Sequence, residues 1–297
     1  MQFADGYADC SKNTQGCVYG QGRELMETIL ITNNPAIAAD AEEAGVTRIM
    51  VDLENHGKKE RQASRNTFIS QHKKEDISSV RRVLTRCSLI VRINPWHDGS
   101  EAEIEYAIAH GADIIMLPMI KDMADVHNFI DSVAGRAEPL PLIETIYSMK
   151  NIDEIAGNPA IHELYIGLND LHLELGMSFL FEPLACGILD KMAESINDAG
   201  KSFGFGGIAA IGSGELPAER ILAEHARLGS NRIILSSRFC KDVDIADATG
   251  RAQRLRAAIG KLSEAYERLR QRSNEQQKLD KEMTADMINV IASRLKL

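Results

Sequence analysis

Two carboxylates and a guanidinium stand where apolar runs end. Glu144 lies near the close of "PLIET" (141–145), and Asp170 follows Asn169 in "LYIGLND" (164–170), after Leu164, Tyr165 and Ile166 have read as the interior of a sheet. Either acid alone reads as a helix cap or a solvated turn residue. Glutamate is a poor N-cap, however, and two acids facing one mouth repel unless a cation lies between them. A hard divalent cation with water in its remaining positions resolves that repulsion. Arg92, in "SLIVRIN" (88–94), is the third group. A guanidinium there needs an anion or an oxygen-rich ligand, and two readings are open: an ion pair with Asp52 or Glu54, or a clamp on a carboxylate or enolate oxygen. Cation, guanidinium and free backbone N–H groups after Ile166 would hold a 2-oxo acid. They would also stabilise the enolate formed when its methyl group loses a proton or a C–C bond breaks.

For these groups to meet, the elements that carry them must share one end. The chain reads as eight apolar, β-branched runs: "LMETILIT" (25–32), "RIMVDLE" (48–54), "SLIVRIN" (88–94), "ADIIMLPM" (112–119), "LPLIET" (140–145), "ELYIGLND" (163–170), "SFGFGGIA" (202–209) and "RIILSSRF" (232–239). Helical patterns lie between them, at 35–44, 101–110, 122–133, 184–199 and 217–227, and Gly45, Gly111, Gly200 and Gly229 stand where a helix should give way to a strand. This alternation predicts an α/β fold, a (β/α)₈ TIM barrel. A doubly wound open sheet competes, but "TNNPAIAAD" follows the first run where a glycine-rich dinucleotide fingerprint would stand. In a barrel the active site lies at the carboxyl ends of the strands. Polar residues collect there: Asp52 and Glu54, Arg92 and Asn94, Glu144, Asn169 and Asp170, and Ser236, Ser237 and Arg238.

Three regions follow. Residues 1–23 form a polar arm, 24–244 the barrel, and 245–297 a C-terminal helical extension. In the extension Leu255, Ile259, Leu262, Tyr266 and Leu269 repeat at spacings of four and three, and Met283, Met287, Ile291 and Leu295 at four. Apolar stripes this long must be covered. The expectation is that they pack on a neighbouring subunit and make a homo-oligomer; the alternative is that both helices fold back on their own barrel. A net charge of −9 argues against a nucleic-acid or anionic-membrane surface. The five cysteines form no C-x-x-C pair and read as reduced thiols, and no apolar run approaches the ~18 residues of a membrane span. A cytoplasmic protein is expected.

With those residues placed, "VDLE" (51–54), "VRIN" (91–94), "GADIIMLPM" (111–119), "PLIET" (141–145) and "YIGLNDL" (165–171), in this order and spacing, resemble the HpcH/HpaI aldolase and citrate lyase β-subunit superfamily over about residues 25–240. The resemblance implies a barrel lyase that uses Mg²⁺ or Mn²⁺ and makes or breaks a C–C bond next to a pyruvate or acyl enolate. It implies Glu144 and Asp170 as metal ligands and Arg92 on the pyruvate-like oxygens. It also implies an oligomer whose C-terminal helices reach across. One departure stands in the loop after the second run. Class II pyruvate aldolases of this family tend to carry histidine directly after the glutamate, whereas "DLENHGKKERQ" places Asn55 between Glu54 and His56. His56 is the candidate proton shuttle, with an exposed loop histidine as the alternative, and Lys58 or Lys59 could contact a substrate anion.

Gly206 and Gly207, in "GFGGIAAIGSGELPAE" (204–219), sit where barrels often cradle phosphate on backbone N–H groups; tight packing explains the glycines equally well. Trp96, the single tryptophan, and His97 follow Arg92 and line an acceptor pocket or cover the rim. The substrate-binding candidates are therefore Arg92, Asn169, Asp170, Trp96, Gly206 and Gly207. Three functions compete: a metal-dependent aldolase acting on a 2-oxo acid and an aldehyde, an acyl-CoA lyase of the malyl or citramalyl type, and a non-catalytic binding or regulatory barrel. The second needs positive charge for CoA, which the acidic chain does not advertise. The third has no need of Glu144, Asp170 and Arg92 together.

Overall fold

The structure is a computed structural model and describes residues 26–55 and 72–296. Its strands are β1 (Glu27–Ile31), β2 (Arg48–Asp52), β3 (Ser88–Arg92), β4 (Ile114–Leu117), β5 (Glu138–Ile143), β6 (Glu163–Ile166), β7 (Ser202–Ile208) and β8 (Arg232–Leu235). They pair in sequence order, all parallel, and β8 closes on β1. The helices that alternate with them are α1 (Pro35–Ala44), α2 (Glu75–Arg81), α3 (Ser100–Ala109), α4 (Met123–Val133), α5 (Ile146–Lys150), α6 (Ile152–Gly157), α7 (Leu168–Glu174), α8 (Glu182–Ala185), α9 (Ile188–Asp198), α10 (Ala218–Leu228) and α11 (Ser237–Asp242). Two long helices follow, α12 (Arg251–Arg270) and α13 (Asn274–Leu295). The fold is the expected (β/α)₈ barrel with C-terminal helices. Among the described residues no helix is long and apolar enough to cross a membrane.

Alternate strand residues face opposite sides of the sheet, and this parity organises the interior. Ile29, Met50, Ile90, Ile114, Met116, Leu140, Leu142 and Tyr165 pack together as an inner core. Their neighbours Leu30, Ile49, Val51, Leu89, Val91, Ile115, Leu164 and Ile166 belong to the larger core beneath the helices. A step of two towards the amino ends of the strands leads to Glu27, Arg48, Glu163 and Arg232. These close the barrel floor as an ionic cluster: Arg48 Nη2 meets Glu27 at 2.7 Å, Arg48 forks onto Glu163, and Arg232 Nε meets Glu163 at 2.6 Å. Burial opposes ionisation of Glu163, but Arg48 and Arg232 outweigh it and hold its pKa below the ordinary carboxylate value. A step of two the other way leads to Asp52, Arg92, Glu144 and Gly167, at the mouth.

One strand pair is irregular. Gly204 pairs with Arg232 but Gly207 with Ile234, so β7 carries an extra residue against β8. The Tyr165 hydroxyl bridges the gap, donating to Gly206 O at 2.8 Å and accepting from Ile234 N–H at 2.9 Å. Its ring fits because Gly204 has no side chain; a Cβ there would stand 2.4 Å from Tyr165 Cε2.

Several boundaries differ from expectation. The sixth strand stops at Ile166, so Asn169 and Asp170 lie in the first turn of α7. The eighth stops at Leu235, and Ser236 caps α11 by accepting from Phe239 N–H at 3.2 Å. The helix read at 184–199 is divided at Gly187, which takes φ +77°, into α8 and α9. The stripe of Leu255, Ile259, Leu262, Tyr266 and Leu269 is buried within the chain itself. It packs on α1 and α10, and Tyr266 donates to Ser230 O at 2.8 Å. Helix α13 lies on α8 and α10, and Asp280 ties it to Arg220 at 3.1 Å and to Arg272. What stays exposed is Leu279, Met283, Val290 and Leu295 on α13.

Candidate active site

Among the described residues the mouth gathers four carboxylates, Asp52, Glu54, Glu144 and Asp170, and the guanidinium of Arg92. Arg92 Nε donates to Asp52 Oδ1 at 2.9 Å and Nη2 to Asp52 Oδ2 at 2.8 Å, while Nη1 stands 3.5 Å from Glu54 Oε2. Of the two readings of Arg92, the ion pair is present, and with both acids. Burial works against the guanidinium charge, but Asp52 first, then Glu54 and Glu144, raise its pKa above the ordinary value. Asp52 is oriented further by Glu54 N–H, which donates to Oδ1 at 3.2 Å. Asn94 joins two mouth loops, accepting from Asn55 N–H at 2.9 Å and donating to Glu103 at 2.7 Å.

Glu144 follows β5 directly and precedes a firm stop: Thr145 and Ser148 form a capping box at α5, and Thr145 Oγ1 donates to Ile120 O at 2.6 Å. Its carboxylate accepts from Met119 N–H at 3.0 Å. Met119 follows Pro118 and sits at φ +52°, a left-handed conformation that costs a non-glycine residue energy and here aims an N–H at the acid. Gly167 N–H donates to Ile143 O at 3.0 Å, which seats the start of α7 beside Glu144 and brings Asp170 in its first turn to the same mouth. Glu144 and Asp170 are 2% and 8% exposed, too little for water to carry two adjacent charges. Burial raises the Glu144 pKa well above the ordinary value, and the charges of Asp170 and Glu54 add to it, with Arg92 and the Met119 N–H opposing. Among the described residues no cluster of three or more His, Cys, Asp or Glu forms a ready-made metal cage. Two buried acids that repel each other are nonetheless the donor set that Mg²⁺ or Mn²⁺ accepts, with water or substrate oxygens completing the shell.

The structure therefore brings Arg92, Glu144 and Asp170 into one electrostatic neighbourhood, with Asn169 beside them on α7. His56, Lys58 and Lys59 lie outside the described residues, as does the arm 1–23. Trp96 packs, partly buried, against the outer core, and His97 hydrogen-bonds Ser100 at the start of α3. Gly206 and Gly207 form the β7 irregularity. In the loop that follows them Gly212 N–H donates to Glu219 at 3.1 Å, and Asp242 takes bonds from Ser213 and Ala210. A cavity of about 270 Å³, lined by Met119, Leu173 and Glu174, opens beside Asp170. Three contributors were not found from the sequence. Met119 acts through its backbone and Gly167 through a missing side chain, neither of which has a residue-type signature. His72, 20 positions beyond Asp52, accepts the Asp52 N–H at 2.9 Å.

The architecture defines the class: an eight-stranded parallel barrel with acidic residues and Arg92 together at its mouth. The chain matches the model of the HpcH/HpaI aldolase/citrate lyase family over residues 29–229, and it belongs to that family. Membership supports a lyase. The chain is 33% identical over 132 residues to the malyl-CoA/β-methylmalyl-CoA/citramalyl-CoA lyase of Chloroflexus aurantiacus, covering 39% of this chain and 36% of that protein. It is 34% identical over 100 residues to a (3S)-malyl-CoA thioesterase of Cereibacter sphaeroides, covering 32% and 34%. The matches thus span about a third of the length of these curated relatives. Among solved structures, an HpcH/HpaI aldolase from Desulfitobacterium hafniense DCB-2 superposes with TM-score 0.55 at 16% identity, over 76% of this chain and 91% of that one. A family protein from Burkholderia cenocepacia J2315 gives 0.54 at 16%, over 82% and 95%. These two likenesses show the fold.

Proposed function

We propose that the protein is a divalent-metal-dependent lyase that breaks or forms a C–C bond next to a pyruvate-type enolate, its partners a 2-oxo acid and an aldehyde. The observation that carries the reading is the buried pair Glu144 and Asp170 facing Arg92 across one mouth. Glu144 and Asp170 would hold Mg²⁺ or Mn²⁺, which supplies Lewis-acid stabilisation of the enolate charge. The chain's own residues supply the rest. Asp52 holds the Arg92 fork, and Arg92 Nη1, whose contact to Glu54 is the longest of its three, is the group a substrate oxygen would take. Met119 N–H and Thr145 hold Glu144 against rotation, so the acid meets its ligand already oriented. The cavity beside Asp170 offers room for the acceptor, and His56 remains the proposed proton shuttle. A homo-oligomer and a cytoplasmic location belong to this proposal; the exposed Leu279, Met283, Val290 and Leu295 supply the apolar surface for the first.

The test is exchange of pyruvate methyl protons in D₂O with Mn²⁺ or Mg²⁺, which asks about the enolate without needing the aldehyde. Exchange that requires the cation is expected; exchange unchanged by EDTA would remove the metal from the reaction. The local identity to the Chloroflexus lyase favours a second reading, an acyl-CoA lyase. Cleavage of a malyl-type thioester without pyruvate exchange would establish it.

A further inference from the structure

The Asp52–Arg92 pair is held from behind by a histidine. The ladder between β1 and β2 ends at Ile31 and Met50, with Thr32 N–H donating to Met50 O at 3.1 Å. The next N–H on that edge, at Asp52, goes instead to His72 Nδ1 at 2.9 Å. A backbone N–H can only donate, so Nδ1 must present its lone pair and a neutral ring must carry its hydrogen on Nε2. On the opposite edge Leu53 N–H donates to Arg92 O at 2.8 Å. Asp52 is only 2% exposed and His72 9%, so water is no ready substitute for the imidazole. Asp52 is thus gripped at its N–H by His72 and at its carboxylate by Arg92 and Glu54 N–H. A turn of the strand end at Asp52 would turn the guanidinium with it.

We propose that His72 is a positioning residue: by accepting the Asp52 N–H it sets the plane of the Asp52 carboxylate and, through it, the edge that Arg92 presents to a planar two-oxygen ligand. The identity of that ligand rests on the enolate reading above; the tautomer and the hold on Arg92 do not.

Two variants separate the acceptor from the ring. His72→Phe keeps a ring and removes the lone pair, whereas His72→Asn can place an amide oxygen where Nδ1 stands. The full chain with Mg²⁺ is titrated calorimetrically with oxalate, a planar mimic of the pyruvate enolate. Nitrogen-15 spectra read the His72 tautomer and the solvent exchange of Arg92 Nε–H. The expected result is a hydrogen on Nε2 in the wild type, at least about tenfold weaker oxalate binding and faster Arg92 exchange in His72→Phe, and both properties within about threefold of wild type in His72→Asn. A hydrogen on Nδ1, oxalate binding by His72→Phe equal to wild type, or a folded His72→Asn as weak as His72→Phe would each overturn the proposal. If His72→Phe does not fold, the tautomer and His72→Asn decide. A wild type that binds no oxalate defeats the enolate reading instead, and Arg92 exchange in the two variants then judges His72 alone.

Discussion

Replacing Gly167 by alanine tests the candidate metal pair without touching either acid. A Cβ built at Gly167 lies 2.5 Å from Glu144 Oε2, 2.8 Å from Glu144 Cβ and 3.3 Å from Cδ. Comfortable non-bonded contacts run at about 3.5 Å between carbons and slightly less to oxygen, so the carboxylate must retreat by roughly 0.7 Å. Rotation of the carboxylate alone does not suffice, because the 2.8 Å contact is to Cβ, close to the backbone. Gly167 itself has φ −85° and ψ 86°, negative φ that alanine can adopt, so the fault is steric and local. Metal–oxygen distances tolerate about 0.2 Å, and disturbing the support of a ligand commonly weakens metal binding about 10- to 100-fold. Overpacking costs about 1–3 kcal/mol of stability, which leaves a protein of this size folded. Mn²⁺ affinity is read by electron paramagnetic resonance, with circular dichroism confirming the fold. An alanine variant that binds Mn²⁺ within about twofold of wild type would show that the Glu144 position seen here is not the one that holds metal.

Glu144→Gln and Asp170→Asn should each lower metal-dependent pyruvate exchange by at least about 10²-fold with the fold intact, since each removes a charge the cation needs; near-normal exchange in either removes that residue from the site. Arg92→Lys should damage exchange nearly as much as Arg92→Ala, because lysine cannot hold Asp52 through two bonds and still reach a substrate oxygen; a largely active lysine variant would reduce Arg92 to a general charge. His225 is buried, stacked on Phe205, and its pKa is lowered from 6.5 to about 3 by burial. The denatured chain therefore binds a proton below about pH 6.5 that the fold refuses until about 3, and stability present above 6.5 is lost as pH falls between them. At pH 4.5 the loss should be about 3 kcal/mol, read from urea midpoints, and smaller in His225→Leu; equal acid sensitivity in the two would exclude His225 as the source. Light scattering should report an oligomer that Leu279→Glu with Met283→Glu dissociates; a monomeric wild type ends the oligomer proposal.

The sequence made the barrel legible because apolar runs and helix stops are local signals. Gly45 and Gly229 end α1 and α10 in the left-handed conformation their positions announced. Asp52, Arg92 and Glu144 could be placed at the mouth because each stands where an apolar run ends. The contribution of His72 could not be read, since it depends on where a strand edge runs out. The α12 stripe was visible, but not what would cover it, because the answer lay in α1, over 200 residues earlier, and in α10. The β7 irregularity was hidden among glycines that suit a turn equally well.

That irregularity also orders the substitutions this barrel can accept. Position 204 is closed twice over: a Cβ there would meet the Tyr165 ring and, at the same 2.4 Å, the main-chain oxygen of Arg232. Shrinking Tyr165 therefore does not free position 204, whereas filling 204 excludes the tyrosine. The dependence runs one way. In descent, tyrosine at 165 can be gained or lost while glycine stays at 204, but it cannot outlive that glycine. Sequences of the lineage should show tyrosine at 165 only where 204 is glycine, an asymmetry that a symmetric measure of covariation would blur.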